Sequence, residues 1–197
     1  MDYIDKTSQE KIPFTFCFGN EFISGEELSS IILLCANADT GLDASSVLID
    51  SGAISGTDPH YDVVFKGGVS GDLYHVTAIG ESNFGNFFEK DLWVIINDKP
   101  QESFSFQPRD EWVVAVDFAN WMDTTDTIAS RTVKAYGEAG TEVTSSHISG
   151  SQTTGQKIYF GIKDCVDGQS YIVRVKIILA TSGYTYERIL SAYCRAI

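Results

Sequence analysis

His60, His75 and His147, the cysteines Cys17, Cys35, Cys165 and Cys194, and a few clustered carboxylates are the residues from which a reactive centre would be built. No two histidines stand two or four residues apart, and no cysteine lies near one in sequence, so the spacing offers no metal-ligand pair. His75 sits in an alternating run and reads as a surface or core strand residue. Ser146 and His147 are adjacent, but a nucleophile and its base must face each other in space, with a third group orienting the base. The sequence holds no GxSxG elbow, no HExxH helix and no P-loop. These patterns point away from an enzyme, and they imply no cofactor.

The four cysteines form no CxxC pair and lie among apolar residues. They read as free, buried thiols of a protein made in a reducing cytosol. Asn97, Asp98, Glu102, Asp123 and Asp126 raise a second chemistry, because carboxylates between tandem β-domains can gather round calcium. EF-hand spacing is absent, however, and acidic linkers are ordinarily solvated, so no metal is expected. Aromatic residues offer a third chemistry. Trp121, Tyr184 and Tyr186 are candidate partner contacts if they stand on loops or edges, and cross-strand packing residues if they do not.

The element that positions most of these groups is a glycine-rich corner, GGVSGDLYHVT, over residues 67–77. Gly67, Gly68 and Gly71 let the backbone turn through positive φ, and Tyr74 then opens a strand. The phrase returns as KDCVDGQSYIV over 163–173, where Gly168 and Tyr171 match Gly71 and Tyr74 at an offset of 97 residues. A repeat of that length is a whole small domain. A tyrosine at the entry to a central strand, bonding back to nearby backbone, is the tyrosine corner of immunoglobulin-like sandwiches.

The rest of the chain agrees with two such units. Short alternating or apolar runs recur at Phe14–Phe18, Ser29–Ala36, Val47–Ile49, Tyr61–Lys66, Tyr74–Gly80 and Phe87–Ile96. A loop is expected at Ser55–His60 and a hairpin turn at Asn83–Asn86. The second course runs through Trp112–Phe118, Asp126–Ser130, Lys157–Ile162, Tyr171–Ala180 and Thr185–Cys194, with a turn at Thr181–Tyr184. No segment of ten residues carries a capped helical period. The expected fold is all-β: two tandem Ig-like antiparallel β-sandwich domains over 12–98 and 99–197, joined by the short linker Asn97–Glu102. Residues 1–11 read as a polar arm that orders on a partner.

A net charge of −13 and an absence of basic clusters exclude nucleic acid and anionic membrane as natural partners. MDYIDKTSQEK lacks the apolar core of a signal peptide, and no apolar run reaches the length of a membrane span.

DTIAS at Asp126–Ser130, then GTEVTSS, then DGxxY at Asp167–Tyr171 and TSGYTYER at Thr181–Arg188, resemble the small Ig-like domains of tailed-bacteriophage structural proteins, fiber-tail adaptors among them. Repeat two carries the pattern; repeat one keeps the corner but has no arginine after its hairpin. The resemblance implies a virion tail protein made in host cytoplasm. It would be an adaptor or connector contacting other tail proteins (tube, nozzle, adaptor or fiber), and it would form a symmetric homo-oligomer within the particle. A capsid decoration protein and a host-glycan-binding module are the rival expectations.

Overall fold

A computed structural model describes residues 2–55, 59–108 and 111–195. The chain divides into two compact units, Met1–Asp98 and Lys99–Ile197. The first holds strands β1 (Asp2–Lys6), β2 (Ile12–Cys17), β3 (Leu28–Asn37), β4 (Ile49–Ser55), β5 (His60–Phe65), β6 (Leu73–Ser82) and β7 (Phe87–Ile96), with one helical turn, α1 (Ser45–Leu48). They make two sheets, ordered β1-β7-β6-β3 and β2-β5-β4. The second repeats this with β8 (Glu102–Phe106), β9 (Trp112–Asp117), β10 (Ile128–Gly137), α2 (Thr144–His147), β11 (Ile148–Thr154), β12 (Lys157–Ile162), β13 (Ser170–Leu179) and β14 (Thr185–Cys194). Its sheets run β10-β13-β14-β8 and β11-β12-β9. Both units are Ig-like sandwiches, with seven strands each among the described residues.

Alternation produces the layers. Along β6, Tyr74, Val76 and Ala78 are buried while His75, Thr77 and Ile79 face outward, the period of two that a strand with one wet face requires. Phe18, Phe65, Val76, Leu92 and Val94 fill the first core, and Phe118, Ile158, Val175, Ile177 and Leu190 are buried in the second unit.

Three expectations change. Residues 2–6 are not a free arm: β1 pairs in parallel with β7, from Asp2 opposite Leu92 to Lys6 opposite Ile96. The buried Lys6 Nζ donates to the carbonyls of Thr7 (2.7 Å) and Gly67 (2.7 Å), fastening the strand to the corner. Val47 and Leu48 belong to a helical turn, and β4 begins only at Ile49. The linker is also shorter than its composition suggests, because Glu102 already belongs to β8. The loop expected at Ser55–His60 includes residues 56–58, which lie outside the described residues.

Candidate functional site: an open sheet edge and the face beside it

Each corner closes on its tyrosine. The hydroxyl of Tyr74 accepts the Val69 N–H (3.0 Å) and donates to Asp72 Oδ2 (3.1 Å). Tyr171 accepts the Val166 N–H (3.1 Å) and donates to Gln169 Oε1 (3.1 Å). Gly67, Gly68, Gly71 and Gly168 all hold positive φ. At Gly68 a Cβ would also strike Ile96 (2.5 Å). The second corner replaces Gly67 with Asp164, the one described non-glycine residue at positive φ (52°). Burial raises both tyrosine hydroxyls above their ordinary pKa.

The candidate partner aromatics fare differently. Tyr186 is 8% exposed and belongs to the interior, not to a contact surface. It lies on the inward-facing row of β14, opposite Ile177. Trp121 is 37% exposed, but its ring lies under the Arg188 guanidinium (4.5 Å) and edge-on to Phe118 (6.2 Å). That stack uses the ring within its own domain. Arg188 also pairs with Glu102. Tyr184 stands partly exposed just after the turn between β13 and β14.

The acidic set divides among local partners. Asp98 accepts the N–H and hydroxyl of Ser8 (both 2.7 Å), and Asp123 holds Thr125 (2.6 and 2.8 Å). Among the described residues no group of three metal-ligating side chains gathers. Glu26 and Asp126, buried and equivalent in the two repeats, tie the loop before β3 or β10 to the hairpin opposite. Glu26 accepts Ser82 Oγ (2.6 Å), Asn86 Nδ2 (2.7 Å) and the Ile23 N–H (3.0 Å). Asp126 accepts the N–H of Thr181 (3.0 Å) and the hydroxyl of Ser182 (2.9 Å).

The Thr181 amide above all, with the Ser182 hydroxyl, brings the Asp126 carboxyl from its ordinary 3.8 to about 2. A depressed folded-state pKa adds stability above the unfolded value and loses it as pH falls. Stability from Asp126 is therefore expected to be complete above about pH 4 and lost as pH falls through about 2. Thermal melts from pH 5 to pH 2 should show a shallower acid slope for Asp126→Asn, and an unchanged slope would refute this role.

The histidines also resolve into local roles. His147 Nδ1 donates to the Lys163 carbonyl (3.1 Å), and its ring packs edge-on against Tyr171 (4.9 Å). His75 stacks on Trp93 (4.5 Å) with Nε2 against Asp91 (2.8 Å). His60 meets Cys17 across the β2–β5 pair, Nε2 to Sγ 3.0 Å.

Cys17 is thus exposed, against the expectation of four buried thiols; it lies on the outward row of β2, after buried Phe16. Burial pushes the thiols of Cys35 and Cys165 up to about 12 and raises that of Cys194. Iodoacetamide should therefore label Cys17 alone in the native protein, as mass-spectrometric mapping would show. Equal native labelling of Cys35 would contradict the burial.

The remaining surface is the outer face of β1-β7-β6-β3. Register places Tyr3 and Asp5, then Phe87, Glu89, Asp91, Trp93 and Ile95, then His75, Thr77, Ile79 and Glu81 on that face. It ends at β3 with Ile32 (57% exposed) and Leu34 (52%). Exposed edges are normally blunted by charge, proline or a bulge. β1 carries Asp2 and Asp5, β2 carries Pro13, and β4 has Asp50 and a register shift after Ile49. From Leu28 to Asn37, by contrast, β3 has no charged residue and no proline, and its one register shift is at its start.

The second domain treats the same edge differently. Where β3 has Ile31, Ile32 and Leu34, β10 has Arg131, Thr132 and Lys134. Arg131 reaches Ser151 and Thr153 of β11, and Lys134 pairs with Glu142 (2.9 Å). One repeat has its edge covered and charged; the other leaves it open and apolar.

The strand order and the paired tyrosine corners define a protein of two tandem Ig-like domains. No protein-family description matches the chain, and no curated protein matches it. Solved structures similar to it include an I-band fragment of titin (10% identity, 100% of this chain, TM-score 0.32). This chain spans 63% of that fragment's length. Others are the N-terminal two-Ig module of the Drosophila receptor protein tyrosine phosphatase DLAR (10% identity, 99% of this chain and 95% of that one, TM-score 0.33) and the fibronectin(III)-like modules of Clostridium thermocellum CbhA (14%, 98% and 89%, TM-score 0.31). The fold assignment rests on strand order and register.

Proposed function

We propose that this chain is a non-enzymatic structural protein of a tailed-bacteriophage particle, an adaptor in the tail that docks through the β3 edge of its first domain. The observation that carries the reading is the uncharged edge strand β3, with no strand on its outer side among the described residues and with Ile32 and Leu34 outward, set against the covered counterpart in the second domain. An edge of this kind offers backbone hydrogen bonds for strand addition and side-chain rows for specificity. The resemblance of the DxIxS, corner and hairpin phrases of repeat two to those of phage Ig-like proteins supports the reading.

The test is copy number and position in purified particles, by quantitative mass spectrometry with gold-labelled antibody. Low copy number with label at the tail supports the reading. Label spread over the head replaces it with a decoration role, and absence from particles overturns it.

A further inference from the structure

Resting on the reading of β3 as the docking edge, we infer that the strand laid against it is β3 of a second copy, antiparallel and centred on Ile32. The backbone shows which groups are available. Ala38 N–H donates to Leu73 on β6, whereas Asn37 N–H donates to Leu42, and Cys35 accepts from Ala44 N–H, on the other side. Residues along a strand alternate the side to which their N–H and C=O point. Even-numbered residues of β3 therefore bond β6, and odd-numbered ones face the open edge. Residues 42–44 already occupy the groups of Cys35 and Asn37 named above, which among the described residues leaves the N–H and C=O of Ile31 and Leu33 facing the edge.

Those two residues match themselves under a twofold axis. With the axis through Ile32, Ile31 of one copy exchanges both bonds with Leu33 of the second copy, and Leu33 does the same with Ile31. An isologous contact needs this self-complementarity. On the outer face the same axis sets Ile32 against Ile32 and Leu34 against Ser30, so that an apolar seam forms from Ile32 and Leu34 of both copies.

Charge selects the second copy over a foreign charged strand. Each copy carries −13 overall, yet Leu28–Asn37 contains no Asp, Glu, Lys or Arg. The carboxylates of β1, β6 and β7 on that face, Asp5, Glu81, Glu89 and Asp91, lie at least one strand in from the edge, and Asp43 stands past the far end of the free stretch, bridged to Ala36. A basic strand would find no partner charge on β3, whereas a second β3 brings none to repel. Because the copies as wholes repel, association should strengthen with salt.

The experiment uses the full chain with Cys17→Ser, which removes the exposed thiol. Residues opposite each other in a non-hydrogen-bonded pair lie roughly 4.5 Å apart at Cα, within the disulfide range of about 4.4–6.8 Å. Ile32→Cys should therefore cross-link to itself under mild oxidant, and Ser30→Cys should do so only when Leu34→Cys is also present. Sedimentation of the uncross-linked protein should show a monomer–dimer equilibrium that shifts to dimer between 0.05 and 0.5 M NaCl, at least tenfold weaker in Ile32→Lys.

A protein that stays monomeric at all salt concentrations, or an Ile32→Cys variant that cross-links no faster than Ser30→Cys, overturns the inference. If Ile32→Lys is then still excluded from particles, the edge docks another component and the adaptor reading survives. If Ile32→Lys enters particles normally, docking through β3 falls as well.

Discussion

Phe18→Ala will destabilise the first domain by about 3–5 kcal/mol, the range for removing a buried phenylalanine ring. The ring is fully buried. It converges with Leu28 and Ile31 on the gap left by Gly80, where a Cβ would lie 2.8 Å from Leu28 and 3.3 Å from Phe18. In the second domain that position is the buried Ile177, so this gap is peculiar to the first. Domains typically have about 5–15 kcal/mol of stability, and the loss takes a large share of it. The ring also lies beneath β3, so its removal loosens the edge strand before the domain unfolds. Urea denaturation measures the first effect. Hydrogen exchange resolved to Leu28–Asn37 measures the second, and a loss below 1 kcal/mol would show that neighbouring side chains refill the site.

Removing a single oxygen from each corner gives the next largest effect. Tyr74→Phe and Tyr171→Phe keep the ring but take the acceptor from the Val69 and Val166 amides. An amide left without its partner costs about 1–3 kcal/mol. Losses of that size are expected in each domain, with unchanged circular dichroism because the ring still fills its place. The second corner should be the more sensitive to full truncation, since Tyr171 also supports the His147 ring. Equal stability of wild type and Tyr→Phe variants in urea would show that water replaces the hydroxyl at no cost.

The corner was legible because backbone geometry forces its composition: glycine at positive φ, then a ring that must be buried. The register of the repeat was legible for the same reason. What stayed hidden depends on contacts distant in sequence. Residues 31–36 read as a strand from their own apolar run, but only pairing with β6 alone makes that strand an edge. Cys17 and His60 stand 43 residues apart and meet only because β2 pairs with β5. Residues 2–6 read as a solvated arm because an edge strand shows Asp2, Tyr3 and Asp5 to water. Lys6 is buried, but it bonds carbonyls, and no apolar pattern announces that. Tyr186 could be read as a loop contact or as a packing residue, and the structure settles it: it is the second residue of β14 and turns inward with the pleat.

The parallel pairing of β1 with β7, and of β8 with β14, decides how each domain answers a pulling force. The two ends of a domain leave from opposite ends of neighbouring strands that run the same way. Tension along the chain therefore slides one strand past the other and strains all five residue pairs of the register together. In a hairpin the same pull would peel the pairs apart one at a time. A sandwich closed in this way yields late and abruptly under extension.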